Sequence, residues 1–399
     1  MTDVGTTRFF DRHTHVSLYA SLRGSPDLSR LDREGALGLL RALPEGAITT
    51  VLGWRRGEQR FTPAELARLP PALLVDYSLH GLALTPAAAE GLRARDPELV
   101  ERHADPRWSE ENLPRLLSLY ATSAGLSSDK LEAFMLALEA LGIDRAEDML
   151  LSGPEALQVM TASRFAGRLR LWAAPELFAA LAPEAQARVE GLKLFLDGAL
   201  GARTAALSEP FRGGARGLLM YSEAKLREVL HGLRGAGKPI AIHAIGDLAI
   251  AQALEALSEV ERGEGLPPCL RLEHVQFITE AQARRARDLG LVLSMQPNFS
   301  AESRSYADRL GPRAIASNNP FRMLIDRAGF RPGRDLLFGS DGMPHGIECA
   351  AQWGLFPPEP GQRLTLEELL AGYGAHRDDR GPARLALSVG ARRVELVRG

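Results

Sequence analysis

Cysteine is almost missing from this chain: Cys269 and Cys349 are the only two in 399 residues. That excludes a disulfide framework and a cysteine-based zinc site, and two buried reduced thiols are expected instead. Lysine is nearly as scarce. Lysine and arginine together number 48, of which only Lys130, Lys193, Lys225 and Lys238 are lysines, leaving 44 arginines. A chain that takes arginine for nearly every cation keeps its few lysines by accident or for amine chemistry. An excess of one charge is lacking too. With 48 basic and 50 acidic residues the formal charge is -2, so neither nucleic acid nor a membrane surface is expected as a partner. No apolar run approaches the ~18 residues of a bilayer span, and the first residues carry charges where a signal peptide is apolar, so a cytoplasmic location is expected. What the chain does have is 45% hydrophobic residues, enough to bury a substantial core.

From residue 187 onward, strand-like apolar runs alternate with helix-like stretches. GLKLFLDG precedes SEAKLREVLHGLRGAG, KPIAIHAIG precedes DLAIAQALEALSEV, and CLRLEHVQF precedes TEAQARRARDLG; LVLSMQPNF and DLLFGSDGMP complete the series. Short apolar runs alternating with helical periodicity imply parallel strands joined by crossover helices, an α/β fold. Earlier in the chain FFDRHTHV, AITTVLGW, LLVDYSLHG and AGRLRLWAAP read as further strands. About eight strands, with none before the first histidine pair to form a second sheet edge, suit a (β/α)8 TIM-like barrel better than an open sheet. Residues 58–155 read as helical and proline-rich, and are expected as an insertion capping the barrel mouth. They fall within a single domain over 1–399 that ends in a short tail, 374–399.

The polar residues that interrupt these strands fall at their carboxyl ends: His13 and His15, Lys193, His243, His274 and Asp341. In a β/α barrel that edge is where active sites are built, so six candidate ligands from five strands are expected to converge on one mouth. Histidines at i and i+2 of a strand point to the same face and can reach a single ion. Imidazoles with carboxylate oxygen suit zinc, while manganese, iron and nickel also accept such ligands. Each residue has a plainer reading as well. His243 and His274, taken singly, read as core histidines bonded to backbone, and Asp341 as a loop cap. Their joint placement at corresponding strand ends is what favours the metal.

Lys193 stands inside the apolar run Leu192 to Leu196, where burial lowers the pKa of an ammonium. A neutral amine there can take up carbon dioxide as a carbamate, an anionic oxygen ligand able to bridge two metals. The alternative is an ion pair with Asp197 or Asp341. Other motifs fail. Gly232 to Lys238 has the spacing of a phosphate loop but is followed by Pro239 and lies between a helix and the next strand, the reverse order; Ser340 lacks the flanking glycines of a nucleophile elbow.

At these residues the sequence resembles the amidohydrolase superfamily, and within it the YtcJ-like branch, amidohydrolase family 3, which includes N-substituted formamide deformylases. The resemblance rests on DRHTHV, GLKLFLDGALGARTAALSEPF, IAIHAIGDLAI, RLEHVQF, NPFRMLIDRAGF and LLFGSDGMP, in that order from about residue 9 to about 373. It rests more loosely on LLVDYSLHGLALTPAAAEGL around His80. It implies one or two divalent ions, zinc foremost, at a barrel mouth. His13 and His15 would bind the first ion with Asp341, His243 and His274 the second, and Lys193, carboxylated or not, would bridge them. It implies hydrolysis of an amide, N-formyl or N-acyl carbon–nitrogen bond in a small molecule. Water acidified by the ion attacks, and Asp341 serves as general base and then as proton donor to the leaving amine. Arg203 in the loop after Lys193, His80 and Trp172 are the residues expected to touch substrate. Arg203 reads equally as a loop brace, and Trp172, like Phe299, equally as core packing.

Two features depart from the family pattern. Only about eight residues precede the first strand, and the tail after Tyr373 offers RRVELV as one strand at most, so the family's accessory β-sandwich is expected to be largely missing. A homodimer stays open, as do two rival functions. One is a metal-dependent esterase, lactonase or phosphoesterase on the same barrel; the other is a non-catalytic truncated paralogue, against which six intact ligand positions speak.

Overall fold

Strands form in chain order as β1 (Thr2–Thr14), β2 (Thr49–Trp54), β3 (Ala72–Asp76), β4 (Leu82–Leu84), β5 (Ile143–Asp148), β6 (Leu169–Ala173), β7 (Gly191–Phe195), β8 (Ile240–Ala244), β9 (Leu270–His274), β10 (Val292–Met295), β11 (Leu336–Phe338), β12 (His376–Arg377), β13 (Ala383–Ser388) and β14 (Arg393–Arg398). The computed structural model describes residues 2–55, 57–76, 79–264, 269–377, 383–388 and 392–398.

Eight of these strands, β1 and β5 through β11, lie side by side in that order, each pair parallel. The ring closes between β11 and β1, where the Asp341 N–H donates to the His13 carbonyl at 2.7 Å and the Ser340 N–H to the Asp11 carboxylate at 2.9 Å. This is the expected (β/α)8 barrel. Strands covered on both faces need apolar residues on both, and β8, Ile-Ala-Ile-His-Ala, is buried at every position.

Two of the runs read as barrel strands are strands of something else. AITTVLGW and LLVDY supply β2 and β3, which pair with each other and with β4 in a separate three-stranded sheet; Tyr77 and Ser78 lie outside the described residues. The stave that takes their place is β5, Ile-Asp-Arg-Ala-Glu-Asp, four of whose six residues are charged. Its charges find partners in the barrel: Asp144 accepts from Arg8 at 2.7 Å, and Glu147 accepts from Arg271 and Trp172. A parallel strand can therefore carry the composition of a loop when its neighbours supply the counter-charges.

The chain divides into two compact units, Met1–Val16 with Glu132–Leu151 and Met160–Gly399, and Ser17–Leu131 with Ser152–Val159. The first holds the barrel. The second holds the β2–β4 sheet, packed on a cluster that includes Leu40, Val51, Trp54 and Leu74. The stretch read as helical from residue 58 thus contains strands as well as helices.

The tail also differs from expectation, since RRVELV is not its only strand. β13 pairs antiparallel with β1 between Thr2 and Thr6, β14 pairs with β13 along its length, and β12 pairs with β1 at Thr7 and Arg8. ARLALS follows a charged Gly-Pro stretch that reads as loop, and its partner is the opposite end of the chain, which no local pattern displays. The outer edge of β14 is guarded by Gln352, whose amide accepts from Val394 N–H at 2.9 Å and donates to the Arg392 carbonyl at 3.1 Å. Phe9 is covered edge-on by Tyr373, with ring centroids 6.3 Å apart, and Phe10 by the guanidinium of Arg12, 3.8 Å from its centroid. Among the described residues no helix is long and apolar enough to cross a membrane.

Candidate metal centre at the carboxyl end of the barrel

β1 ends at Thr14, so His13 is its last residue but one and His15 the first beyond it. Their Nε2 atoms lie 3.6 and 3.1 Å from Asp341 Oδ1. One donor atom from each of the three falls within 4.8 Å of the other two, and two imidazoles with a carboxylate are a donor set that fits a divalent ion. Asp341 reaches them because its backbone turns through the left-handed region, φ 56, with its N–H anchored on the His13 carbonyl. Such a conformation costs of order 1–3 kcal/mol in a residue with a Cβ, and is characteristic of functional sites. Gly339 permits the close approach: a Cβ there would stand 2.3 Å from the His13 backbone nitrogen. Gly339→Ala is expected to force this loop off β1, destabilising the fold by about 3 kcal/mol and weakening zinc binding by about tenfold or more. Thermal unfolding and zinc titration check both.

His274 ends β9 with φ 70. Its ring lies 4.7 Å from that of His13 and 4.5 Å from that of His243, and stacks on Phe299 at 6.1 Å, centroid to centroid. Its Nδ1 donates to Gln296 Oε1 at 2.8 Å, which leaves Nε2 as the free lone pair. His243 turns Nε2 toward the Gly198 carbonyl at 3.2 Å and the Asp197 carboxylate at 3.4 Å. Asp197 is itself engaged by the backbone N–H groups of Ala206, Ile245 and Gly246 at 2.8–2.9 Å. Lys193 is 1% exposed, and among the described residues its Nζ has no hydrogen-bond partner and lies 5.1 Å from the centroid of the Phe195 ring. The ion pair with Asp197 or Asp341 offered as its alternative role is not formed.

Three further residues were expected to touch substrate. His80 belongs to the other compact unit, with Nδ1 3.1 Å from both carboxylate oxygens of Glu110. Arg203 is exposed, at φ 60, and its backbone N–H closes a turn onto the Leu200 carbonyl at 3.1 Å, in keeping with a loop brace. Trp172 is 3% exposed, packs with Met149 and Ala241, and donates its indole N–H to Glu147 at 2.9 Å, in keeping with its alternative reading as core packing.

Burial governs protonation here. It pushes His13 down to about 4, with Lys193 adding to the effect against the pull of Glu273 and Asp341. His274 falls well below the usual imidazole range, first by burial and then by the neighbouring His243 and His13. For Lys193 burial outweighs the attraction of Glu273 and Asp341, giving about 8. Burial acts to raise Asp341, but His13 and His15 outweigh it and hold the carboxyl at about 2. At neutral pH, neutral His13 and His274 thus stand with an ionised carboxylate, the protonation that ligation requires.

Sequence reading missed the layer behind these side chains: Arg271, Glu273 and Glu147, and the bond from His274 to Gln296. Its signal was present in CLRLEHVQF, where two charges two residues apart interrupt a strand otherwise fit for burial. His345 was missed as well; its Nε2 lies 3.1 Å from Thr14 Oγ1.

A sequence model described as "Amidohydrolase family", the third of that series, matches residues 110–352, more than half of the chain. The chain belongs to amidohydrolase family 3. Lys193, His243, His274 and Asp341 fall within the match, and His13 and His15 precede it. This amidohydrolase is 32% identical over 139 residues to "Putative amidohydrolase YtcJ" of Bacillus subtilis (strain 168), a span of 34% of this chain and 26% of that protein. It is 25% identical over 194 residues to the N-substituted formamide deformylase of Arthrobacter pascens, 45% of this chain and 35% of that one. The chain therefore matches only 26% to 35% of the length of these curated relatives. Among solved structures, an uncharacterized metal-dependent hydrolase from Pyrococcus furiosus superposes with a TM-score of 0.69 at 24% identity, covering 92% of this chain and 80% of that one. The likeness is one of fold.

Proposed function

We propose that this amidohydrolase is a metal-dependent hydrolase that cleaves a carbon–nitrogen bond, an amide or an N-formyl or N-acyl group, in a small molecule. The observation that carries the reading is the donor set of His13, His15 and Asp341 at the barrel's carboxyl edge. The buried amine of Lys193, without a hydrogen-bond partner among the described residues, supports it, and similarity to the formamide deformylase gives the bond class its direction. Zinc is the ion this donor set favours. His13, His15 and Asp341 would hold one ion, His243 and His274 a second, and Lys193, as its carbamate, would link them. A divalent ion bound there supplies Lewis acidity, polarising a carbonyl and acidifying water.

The chain's own contribution is proton handling. Asp341, ionised and with its side chain 16% exposed, accepts the proton of the attacking water and returns it to the leaving nitrogen. Lys193, lowered to about 8, is neutral in about one-tenth of molecules one pH unit below that value, far more than an ordinary lysine, and a neutral amine with carbon dioxide gives a carbamate and a proton.

Protein purified without chelators is expected to hold at least about half an equivalent of a transition metal, as a site of this kind should. Metal-loaded protein is expected to turn over N-formyl, N-acyl or cyclic amide compounds ahead of esters, lactones and phosphoesters. A lower metal content by plasma mass spectrometry sinks the enzyme reading, and a preference for esters or phosphoesters moves the bond class.

A further inference from the structure

The barrel interior next to the donor set is charged where packing alone would not require it. Arg271 and Glu273 stand two residues apart on β9, and with Glu147 of β5 each is 4% exposed or less. Arg271 is bonded on every side. Its Nε donates to Glu273 Oε1 at 2.8 Å, Nη1 to Glu147 Oε2 at 2.5 Å, and Nη2 to the Arg12 carbonyl at 2.9 Å and Ser294 Oγ at 3.3 Å. The remaining Glu273 oxygen, Oε2, lies 2.6 Å from Nδ1 of His13. A buried ion network is weak evidence for stability, because well-packed apolar residues serve as well or better. What distinguishes this one is that it ends on His13.

We propose that Arg271 and Glu273 are a positioning pair that fixes His13 as its Nδ1–H tautomer and presents a bare Nε2 to the donor set. The proposal rests on the reading of His13 as an ion ligand. The chemistry runs one way. An ionised Glu273 can only accept, so the shared proton sits on Nδ1. Nε2 then keeps its lone pair, on the side facing Asp341 at 3.6 Å. Arg271 has donors and no acceptor, so it holds one carboxylate oxygen and thereby aims the other at the imidazole. A carboxylate behind a ligating histidine fixes its tautomer and orientation, and losing such a partner lowers metal affinity by about 10–100-fold.

Glu273→Gln is the diagnostic change. Arg271 demands an acceptor, so the new amide turns its oxygen to Arg271 and its NH2 to His13, where it donates to Nδ1 and drives the proton to Nε2. Nitrogen-15 spectra of metal-free protein labelled at histidine, with the His13 signals assigned by their loss in His13→Gln, read this directly. Expected are a protonated Nδ1 and bare Nε2 in the wild type, the reverse in Glu273→Gln, and recovery of the wild-type pattern in Glu273→Asp. Zinc affinity by chelator competition should fall about 10–100-fold in Glu273→Gln. A wild-type His13 protonated on Nε2 overturns the proposal without any variant needing to fold, and so does a Glu273→Gln protein that keeps Nδ1–H. If wild-type protein binds no zinc the metal centre falls, while the tautomer spectra of the metal-free protein still decide the positioning pair.

Discussion

Asp341→Asn is expected to lower turnover by about 10³-fold while leaving at least half of the wild-type metal bound, the loss being that of a general base. The substitution is unusually clean at this position. Asp341 sits at φ 56, a region that asparagine enters as readily as aspartate, so the backbone bond to the His13 carbonyl should survive. The amide oxygen remains available to His15, whose Nε2 lies 3.1 Å from the carboxylate. What disappears is a negative charge that can take a proton. Steady-state kinetics on the best substrate from the amide screen, with metal content measured on the same sample, check the two halves together. Turnover within about tenfold of wild type, well short of what general-base loss entails, would show that another group accepts the proton, and His345, bonded to Thr14 in the same barrel edge, would be the next to change.

That Asp341 and the histidine pair could be found in the sequence at all follows from a physical regularity. A strand buried on both faces tolerates few polar residues, so a histidine or aspartate at the end of an apolar run stands out, as His243 does in β8, His274 in β9 and Asp341 just past β11. The same regularity misleads in two places. β5 is buried yet charged, because Arg8, Arg271 and Trp172 satisfy its carboxylates, and those partners come from distant parts of the chain. β2 and β3 are apolar and regular yet belong to another sheet, since a run of residues encodes its burial but not its neighbours. The donor set was legible through spacing, whereas the Arg271–Glu273 layer was obscured by the histidine that follows it. Of the three strands after Tyr373, β12 and β13 depended on pairing with Thr2–Arg8, a contact across nearly the whole chain length, and β14 on pairing with β13.

Lys193→Met is expected to make the metal-free protein more stable and the enzyme at least about 10²-fold less active, the activity loss being of the size seen when a ligand-orienting group is removed. The two effects share a cause. Lys193 is 1% exposed, its Nζ lacks a hydrogen-bond partner, and burial brings its pKa from 10.5 down to about 8. At about 1.4 kcal/mol per pKa unit that is a penalty of about 3 kcal/mol on the native state. Between about 8 and 10.5 the unfolded chain holds the proton that the native one has shed, so stability rises with pH across that window; below it both states are protonated and the penalty is present in full. Methionine fills a similar unbranched volume without charge. Denaturant unfolding of chelator-treated protein should therefore show Lys193→Met ahead of the wild type by up to about 3 kcal/mol at pH 7, with the gap closing toward pH 10.5. A destabilised variant would mean that the amine is paired in the metal-free protein. A more stable and inactive one would mean that a residue unfavourable to the fold is held in place for what it does at the site.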